Sequence, residues 1–309
     1  MAEPNPTTAG ARKPNLFIVG AMKCGTTAWY EYLKAHPDVF MSVPKEPSYF
    51  ALDVPNWRQV RSEEEYSALF AGSGGARVVG DASTTYLFSE TAAKAIRSYN
   101  PDAKILIFLR EQEECLPSLH NQFLAEFSET ITDFEKAWRL SGRRPADTIP
   151  PGCNEPRTLD YALMGRFDEQ VRRYFDAFPP GQIRLFWFRD WIGDPRPTYL
   201  EILDFLGLDD DGRTEFRPTN QGITLRLPGL VRRLEDPPPW LRRIVRRFKR
   251  VTGLSADTQK KLVDLTIHML TAAGYQDIEP SLRDEIRQYF AEPNGRLKEI
   301  LATSSGRTS

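Results

Sequence analysis

The stretch that most restricts this chain is Asn15 to Phe50, NLFIVGAMKCGTTAWYEYLKAHPDVFMSVPKEPSYF. Leu16 to Val19 is an apolar run of the length of a buried strand, and Gly20 ends it. Gly25-Thr26-Thr27 opens a segment, Ala28 to Ala35, in which Trp29, Tyr32 and Leu33 recur at helical spacing. Strand, glycine-bounded loop and helix start form a layout that binds phosphate through backbone N–H groups and the positive end of the helix dipole. The spacing Gly20 to Gly25 fits the phosphate-loop pattern G-x-x-x-x-G, but the lysine that should follow is Thr26. The loop's lysine is Lys23, inside it. Such a loop suits a phosphate group without suiting a magnesium nucleoside triphosphate.

The rest of the chain supplies a sheet for this unit. Arg77-Val78-Val79-Gly80 reads as a short buried strand, Asp81 to Leu87 as a polar loop, and Thr91 to Tyr99 as a helix stopped by Asn100-Pro101. Lys104 to Leu109, KILIFL, is the clearest buried strand, and Arg110 ends it. Ser62 to Phe70, Glu111 to Glu126, Phe134 to Leu140 and Tyr199 to Leu206 read as helices, with Pro117 a kink or the true start of the second. Leu159 to Phe178 reads as one long amphipathic helix, Ile183 to Phe188 as a strand, and Ser141 to Pro156 as a basic rim loop. Alternating strands and helices predict an α/β fold with a central parallel sheet flanked by helices, whose ligands bind beyond the strands' C-terminal ends. Leu262 to Ala273, Leu282 to Phe290 and Asn294 to Leu301 predict a helical C-terminal part. One domain is expected over residues 15–301, mostly helical from 209, between polar tails at 1–14 and 302–309 that read as disordered.

Composition sets limits on partners. The 309 residues carry a net charge of −1, so no global field favours nucleic acid or a membrane. Arg226 to Arg250 is the local exception, with nine basic residues and Leu241, Ile244, Val245 and Phe248 at helical spacing among them. It reads either as a solvated helix packed on the core or as a surface for an anionic acceptor or an anionic lipid face. Three cysteines (Cys24, Cys115, Cys153) without a C-x-x-C pair point to a reducing compartment, and a cytoplasmic location is expected. No 18-residue apolar run and no apolar leader core is present. The three histidines have no metal-ligand spacing, so no metal is expected.

Lys23-Cys24-Gly25-Thr26-Thr27 resembles the 5′-phosphosulfate loop of sulfotransferases that use 3′-phosphoadenosine-5′-phosphosulfate (PAPS), whose pattern is Lys-x-Gly-Thr-Thr/Ser. Leu33, His36-Pro37, Lys45-Glu46-Pro47 and Phe50 are similar to the glycan-modifying, heparan-type branch. The resemblance implies a P-loop-like fold and direct in-line transfer of a sulfuryl group, without a metal, to a hydroxyl of a carbohydrate or glycosylated small molecule, leaving adenosine 3′,5′-bisphosphate (PAP). It implies that residues 23–27 hold the phosphosulfate, with Lys23 meeting the leaving phosphate oxygen. It implies that Arg110 and Ser118, eight positions apart after a strand as in the family, hold the 3′-phosphate. It implies that Glu46 is the base. The chain departs from the family at Cys115, where many relatives carry arginine, and at Glu111 and Gln112. Carboxylates at Glu111, Glu113 and Glu114 are unexpected beside a phosphate. The resemblance runs from about Asn15 to Leu208, with a weaker echo from Ala291 to Leu301, and the adenosine-side loop that should follow 208 is not recognisable. Two other readings stand beside it. One is a P-loop kinase-like enzyme; the other is a non-catalytic protein that binds the nucleotide or an anionic surface.

Overall fold

The computed structural model describes residues 12–217, 223–225, 271–273 and 278–305. Five strands, β1 (Leu16–Gly20), β2 (Val39–Met41), β3 (Val78–Ala82), β4 (Lys104–Leu109) and β5 (Ile183–Trp187), form one sheet in the order β2-β3-β1-β4-β5. Every neighbouring pair is parallel. β1 follows the apolar run, all five of its residues are buried, and it lies in the middle of the sheet. β4 follows KILIFL with only Lys104 partly exposed, as expected of a parallel strand covered on both faces.

The helices are α1 (Thr26–Lys34), α2 (Glu63–Ala68), α3 (Thr85–Phe88), α4 (Ala92–Tyr99), α5 (Gln112–Ala125), α6 (Phe134–Arg139), α7 (Tyr161–Met164), α8 (Phe167–Ala177), α9 (Phe188–Trp191) and α10 (Arg196–Leu206), then α11 (Pro280–Tyr289) and α12 (Ala291–Ser305). The sheet flanked by helices, with a helical C-terminal part, is the predicted α/β architecture. β3 connects to β4 across the far side of β1, so the sheet's switch point lies where β1 and β4 end. None of the described helices is long and apolar enough to cross a membrane.

Several sequence expectations are corrected. The segment Asp81 to Leu87 is not a loop: Asp81 and Ala82 belong to β3, and Thr85 to Phe88 is a helical turn. Its polar residues misled because Asp81, Ser83 and Thr85 are buried and hydrogen-bond to other side chains rather than to water. The single helix expected over Leu159 to Phe178 is two, α7 and α8. The break falls at Gly165, where a Cβ would stand 2.4 Å from the Phe290 ring, so the end of α11 packs into the gap. Pro117 neither starts nor ends α5, which runs through it; the cost is one lost hydrogen bond on a buried, well-packed helix. Thr271 to Ala273, expected as the end of a helix, is a short strand β7 antiparallel to β6 (Ile223–Leu225). The remainder of the helix expected over 262–273, and the basic run 226–250, lie outside the described residues.

Candidate active site

Four strand ends supply the site. The loop 20–25 follows β1, Arg110 follows β4, and α9 follows β5. The fourth contribution, residues 42–48, leaves β2 and runs beside the end of β3. Ser42 N–H donates to the Gly80 carbonyl at 2.9 Å, and Glu46 N–H to the Ala82 carbonyl at 3.0 Å. The chain has thus extended the ladder by a few residues to place Glu46 level with the β1 loop. Between these ends opens a cleft of about 820 Å³, lined by Lys23, Thr27, Glu46, Arg110, Ser118 and Glu126 among others. Of the residues expected from the sequence, only Cys24 fails to line it.

The β1 loop is shaped for an anion. Gly25 has φ +84°, and a Cβ there would meet the Trp191 ring at 2.4 Å, so only glycine fits both the turn and the close approach of α9. Among the described residues the N–H groups of Gly25, Thr26 and Thr27 take no protein acceptor, as befits the first turn of a helix, and all three residues line the cleft. Lys23 is held at φ +62°, a conformation that costs a non-glycine residue about 1–3 kcal/mol and persists where the surroundings impose it. Burial lowers its pKa, and the Glu126 carboxylate partly counters that. The Cys24 side chain turns the other way, fully buried under the loop, with Sγ 3.3 Å from the Met22 carbonyl. Cys115 on α5 lies beneath it, its own thiol pushed up by a hydrogen bond to Cys24 and by burial. The Cys24 sulfur is therefore not part of the cleft wall.

Glu46 is also strained, at φ +64°, and is the best-tethered acid in the cleft. Its Oε2 accepts from Thr84 N–H at 2.7 Å, Thr84 Oγ1 lies 3.1 Å from both oxygens, and Lys45 Nζ is 2.5 Å from Oε1. The side chain keeps 29% of its surface open to the cleft. Behind it Ser48 N–H donates to Ser83 Oγ at 3.0 Å, and Ser83 Oγ–H donates to Asp81 at 2.7 Å. Asp81 also accepts from Tyr66 and Tyr86 hydroxyls at 2.8 and 2.7 Å. Burial pushes Asp81 up to about 6 against the downward pull of these hydroxyl donors. The network fixes the loop that carries Glu46 to the core of the sheet.

Arg110 is buried, with its guanidinium 4.5 Å from the Phe188 ring centre and its Nε donating to Glu114 at 2.9 Å. The acids that crowd the start of α5 each have a cation. Glu114 pairs with Arg110, Glu113 with Arg287 of α11 at 2.6 Å, and Glu111 with Arg189 of α9. They stitch the anion site to its neighbours and draw Arg287 and Arg189 in as counter-charges. Ser118, Gln122 and Glu126 all line the cleft, one turn apart along a single face of α5. Glu126 was not singled out by the sequence; the signal was there, eight positions beyond Ser118, but it required knowing which face of α5 looks inward. Two of the histidines, His36 and His120, are elsewhere. His36 is buried with Nε2 3.1 Å from the Asp209 carbonyl, and His120 is buried with Nε2 2.7 Å from the Ile131 carbonyl. Neither lines the cleft.

Comparison with known proteins agrees with this geometry. The family model described as a sulfotransferase domain matches residues 13–217, more than half of the chain. Human heparan sulfate glucosamine 3-O-sulfotransferase 6 is 23% identical over 197 residues, covering 64% of this chain and 53% of the relative. Carbohydrate sulfotransferase 15 of Rattus norvegicus is 22% identical over 248 residues, covering 63% of this chain and 44% of the relative. The chain thus spans about half the length of these curated relatives. A crystal structure of a sulfotransferase from Alicyclobacillus acidocaldarius superposes with a TM-score of 0.59 at 27% identity, over 81% of this chain and 99% of that one. With a glycine-bounded loop after β1, an arginine after β4 and the family match spanning both, the chain belongs to the sulfotransferase family.

Proposed function

We propose that this sulfotransferase takes PAPS as donor and passes its sulfuryl group to a hydroxyl of a carbohydrate or glycosylated small molecule. The observation that carries the reading is the meeting of Lys23, Glu46, Arg110 and Ser118 in one cleft, from four separate parts of the chain. Two cations, a row of N–H donors and a carboxylate are what an anion at each end of a donor and a hydroxyl between them require.

In the proposed reaction the N–H groups of Gly25, Thr26 and Thr27 hold the non-bridging oxygens of the 5′-phosphosulfate. Arg110 exchanges Glu114 for the 3′-phosphate, which a guanidinium grips bidentately, and Ser118 adds a hydroxyl. Glu46 accepts the proton of the acceptor hydroxyl as its oxygen bonds to sulfur. The sulfur–oxygen bond to the phosphate breaks, and Lys23 stabilises the charge that appears on that phosphate oxygen. The donors from Thr84 and Lys45 hold the Glu46 carboxylate in place for this step. The sparse cysteines support a reducing, cytoplasmic setting as part of the same proposal.

The test is thermal stabilisation by PAP set against ATP with magnesium, followed by transfer from radiolabelled PAPS to a panel of hydroxyl acceptors. Stabilisation by PAP alone is expected. Stabilisation by ATP with magnesium and not by PAP would make this a kinase-like enzyme, and response to neither would remove the nucleotide from the reading.

A further inference from the structure

The five acids on and around α5 differ in one respect. Glu111, Glu113, Glu114 and Glu129 each have a basic partner within ion-pair distance: Arg189, Arg287, Arg110 and Arg144. Glu126 has none among the described residues. Its Oε1 accepts the Gln122 side-chain amide at 2.7 Å, and no described donor reaches Oε2. The residue is exposed and forms part of the cleft wall. An acid left unpaired at a surface needs no explanation, because water serves it. An acid left unpaired inside a ligand cleft presents its free oxygen to whatever enters.

Position along α5 decides which ligand meets it. Ser118 is the donor-side residue, next to the strand end that carries Arg110, and Glu126 is two helical turns further on. It shares the cleft with Glu46, the proposed proton acceptor, and its carboxylate feels the charges of both Lys23 and Glu46. Desolvation pushes the Glu126 carboxyl up, and the Gln122 hydrogen bond and the Lys23 charge pull it back down. When Lys23 turns to the donor's phosphosulfate, that offset is shared with an anion. The Lys45–Glu46 pair is neutral as a unit. Glu126 is then left without a compensating cation among the described residues, in the same cleft as Glu46.

We propose that Glu126, steered by Gln122, is the acceptor-selecting residue of this enzyme: it favours an acceptor that carries a protonated amine close to the reacting hydroxyl and disfavours one that carries carboxylates or sulfates there. The inference rests on the sulfuryl-transfer reading above and narrows its acceptor from carbohydrates in general to amine-bearing ones. A carboxylate in the cleft wall discriminates in both directions, since a cation gains a charge-assisted hydrogen bond and an anion meets repulsion.

The experiment measures binding of three oligosaccharides of equal length to the PAP-loaded protein by calorimetry: a glucosamine oligomer, its N-acetylated counterpart, and a uronate-containing oligomer. PAP binding is measured first. Its absence would overturn the donor reading itself, separately from this proposal. With PAP bound, the wild type is expected to prefer the amine over the N-acetyl form and both over the uronate. Glu126→Gln is expected to shrink the amine preference about tenfold, the loss of one charge-assisted contact. Glu126→Lys is expected to reverse the order in favour of the uronate, and PAP stabilisation of each variant reports that it is folded. Equal or tighter uronate binding by the wild type, as the basic run 226–250 would favour, overturns the proposal. So does an unchanged amine preference in Glu126→Gln, and so does a failure of all three oligosaccharides to bind while PAP does.

Discussion

On the proposed reading, the donor half and the acceptor half of this cleft are built differently. The donor half stands on the ends of the two central strands: the loop after β1 and Arg110 after β4, with backbone N–H groups and a buried guanidinium as its tools. Its ligands are separated by a strand pairing that the core enforces. The acceptor half stands on peripheral pieces: the 42–48 segment leaving the edge strand β2, and the far end of α5. These are held by side chains instead, through Thr84 on Glu46, the Asp81–Ser83–Ser48 relay, and Gln122 on Glu126. A backbone-built site offers the same groups whatever the neighbouring side chains are. A side-chain-built site can be changed one residue at a time, which is what a variable acceptor requires.

The sharpest way to break this comparison is at Lys23. Lys23→Ala is expected to nearly abolish transfer, losing about 10³-fold or more of kcat (about 4 kcal/mol or more), because no other described cation of the loop meets the leaving phosphate oxygen. Single-turnover rates with saturating donor measure it; retention of most of kcat would return the leaving-group role to the backbone N–H row. Next comes Glu46→Gln, which keeps the shape and most hydrogen bonds but removes the proton acceptor. It is expected to lower kcat by about 10²–10⁴ with PAP affinity nearly unchanged. If PAP affinity drops while kcat holds, Glu46 is structural, and Glu126 is the remaining cleft carboxylate to test as base, since His36 and His120 are buried elsewhere.

The relay behind Glu46 is sharpened by pH. Asp81 has a folded-state pKa of about 6, above its unfolded value, so folding favours its protonated form. Its contribution to stability is fully present below the unfolded pKa of about 3.9 and is lost as pH rises through about 6. The gap between those two values corresponds to roughly 3 kcal/mol, an upper figure for a carboxyl with three hydroxyl donors. Urea unfolding across this window should show that loss, and Asp81→Asn should flatten it. A wild type whose stability rises over the same range would mean the hydroxyls of Tyr66, Tyr86 and Ser83 outweigh burial.

The mildest effect belongs to Arg110. Arg110→Ala is expected to weaken PAP binding by about 1.5–3 kcal/mol, the scale of a charge-assisted contact, since the helix-start N–H groups remain. An unchanged calorimetric dissociation constant would remove Arg110 from the 3′-phosphate site. The thiol of Cys24 adds a control. Buried under the loop, it should react slowly with alkylating reagents whether or not donor is bound. Marked protection by PAP would mean that the loop opens in the free protein and exposes it.

The local layout of the donor site was legible because it is written in consecutive residues. An apolar run, a glycine, a lysine, a glycine and a helix start fix β1, its loop and α1, and KILIFL followed by Arg110 fixes β4 and its end. Parallel order and the sites at strand ends follow from alternation of strand and helix. Three things were decided only by the tertiary structure. Asp81 to Leu87 read as a loop because polar residues ordinarily face water, whereas here two tyrosine hydroxyls and a serine replace the water. The helix over 159–178 broke because Phe290, more than a hundred residues later, occupies the space beside Gly165. The third is the acceptor wall. Glu126 lies eighty positions from Glu46, and the two line one space only because α5 turns its 118–122–126 face into the cleft. Sequence spacing fixes which residues share a face of an element. Which face looks into the cleft is set by what that element packs against, and that is a property of the assembled sheet and helices.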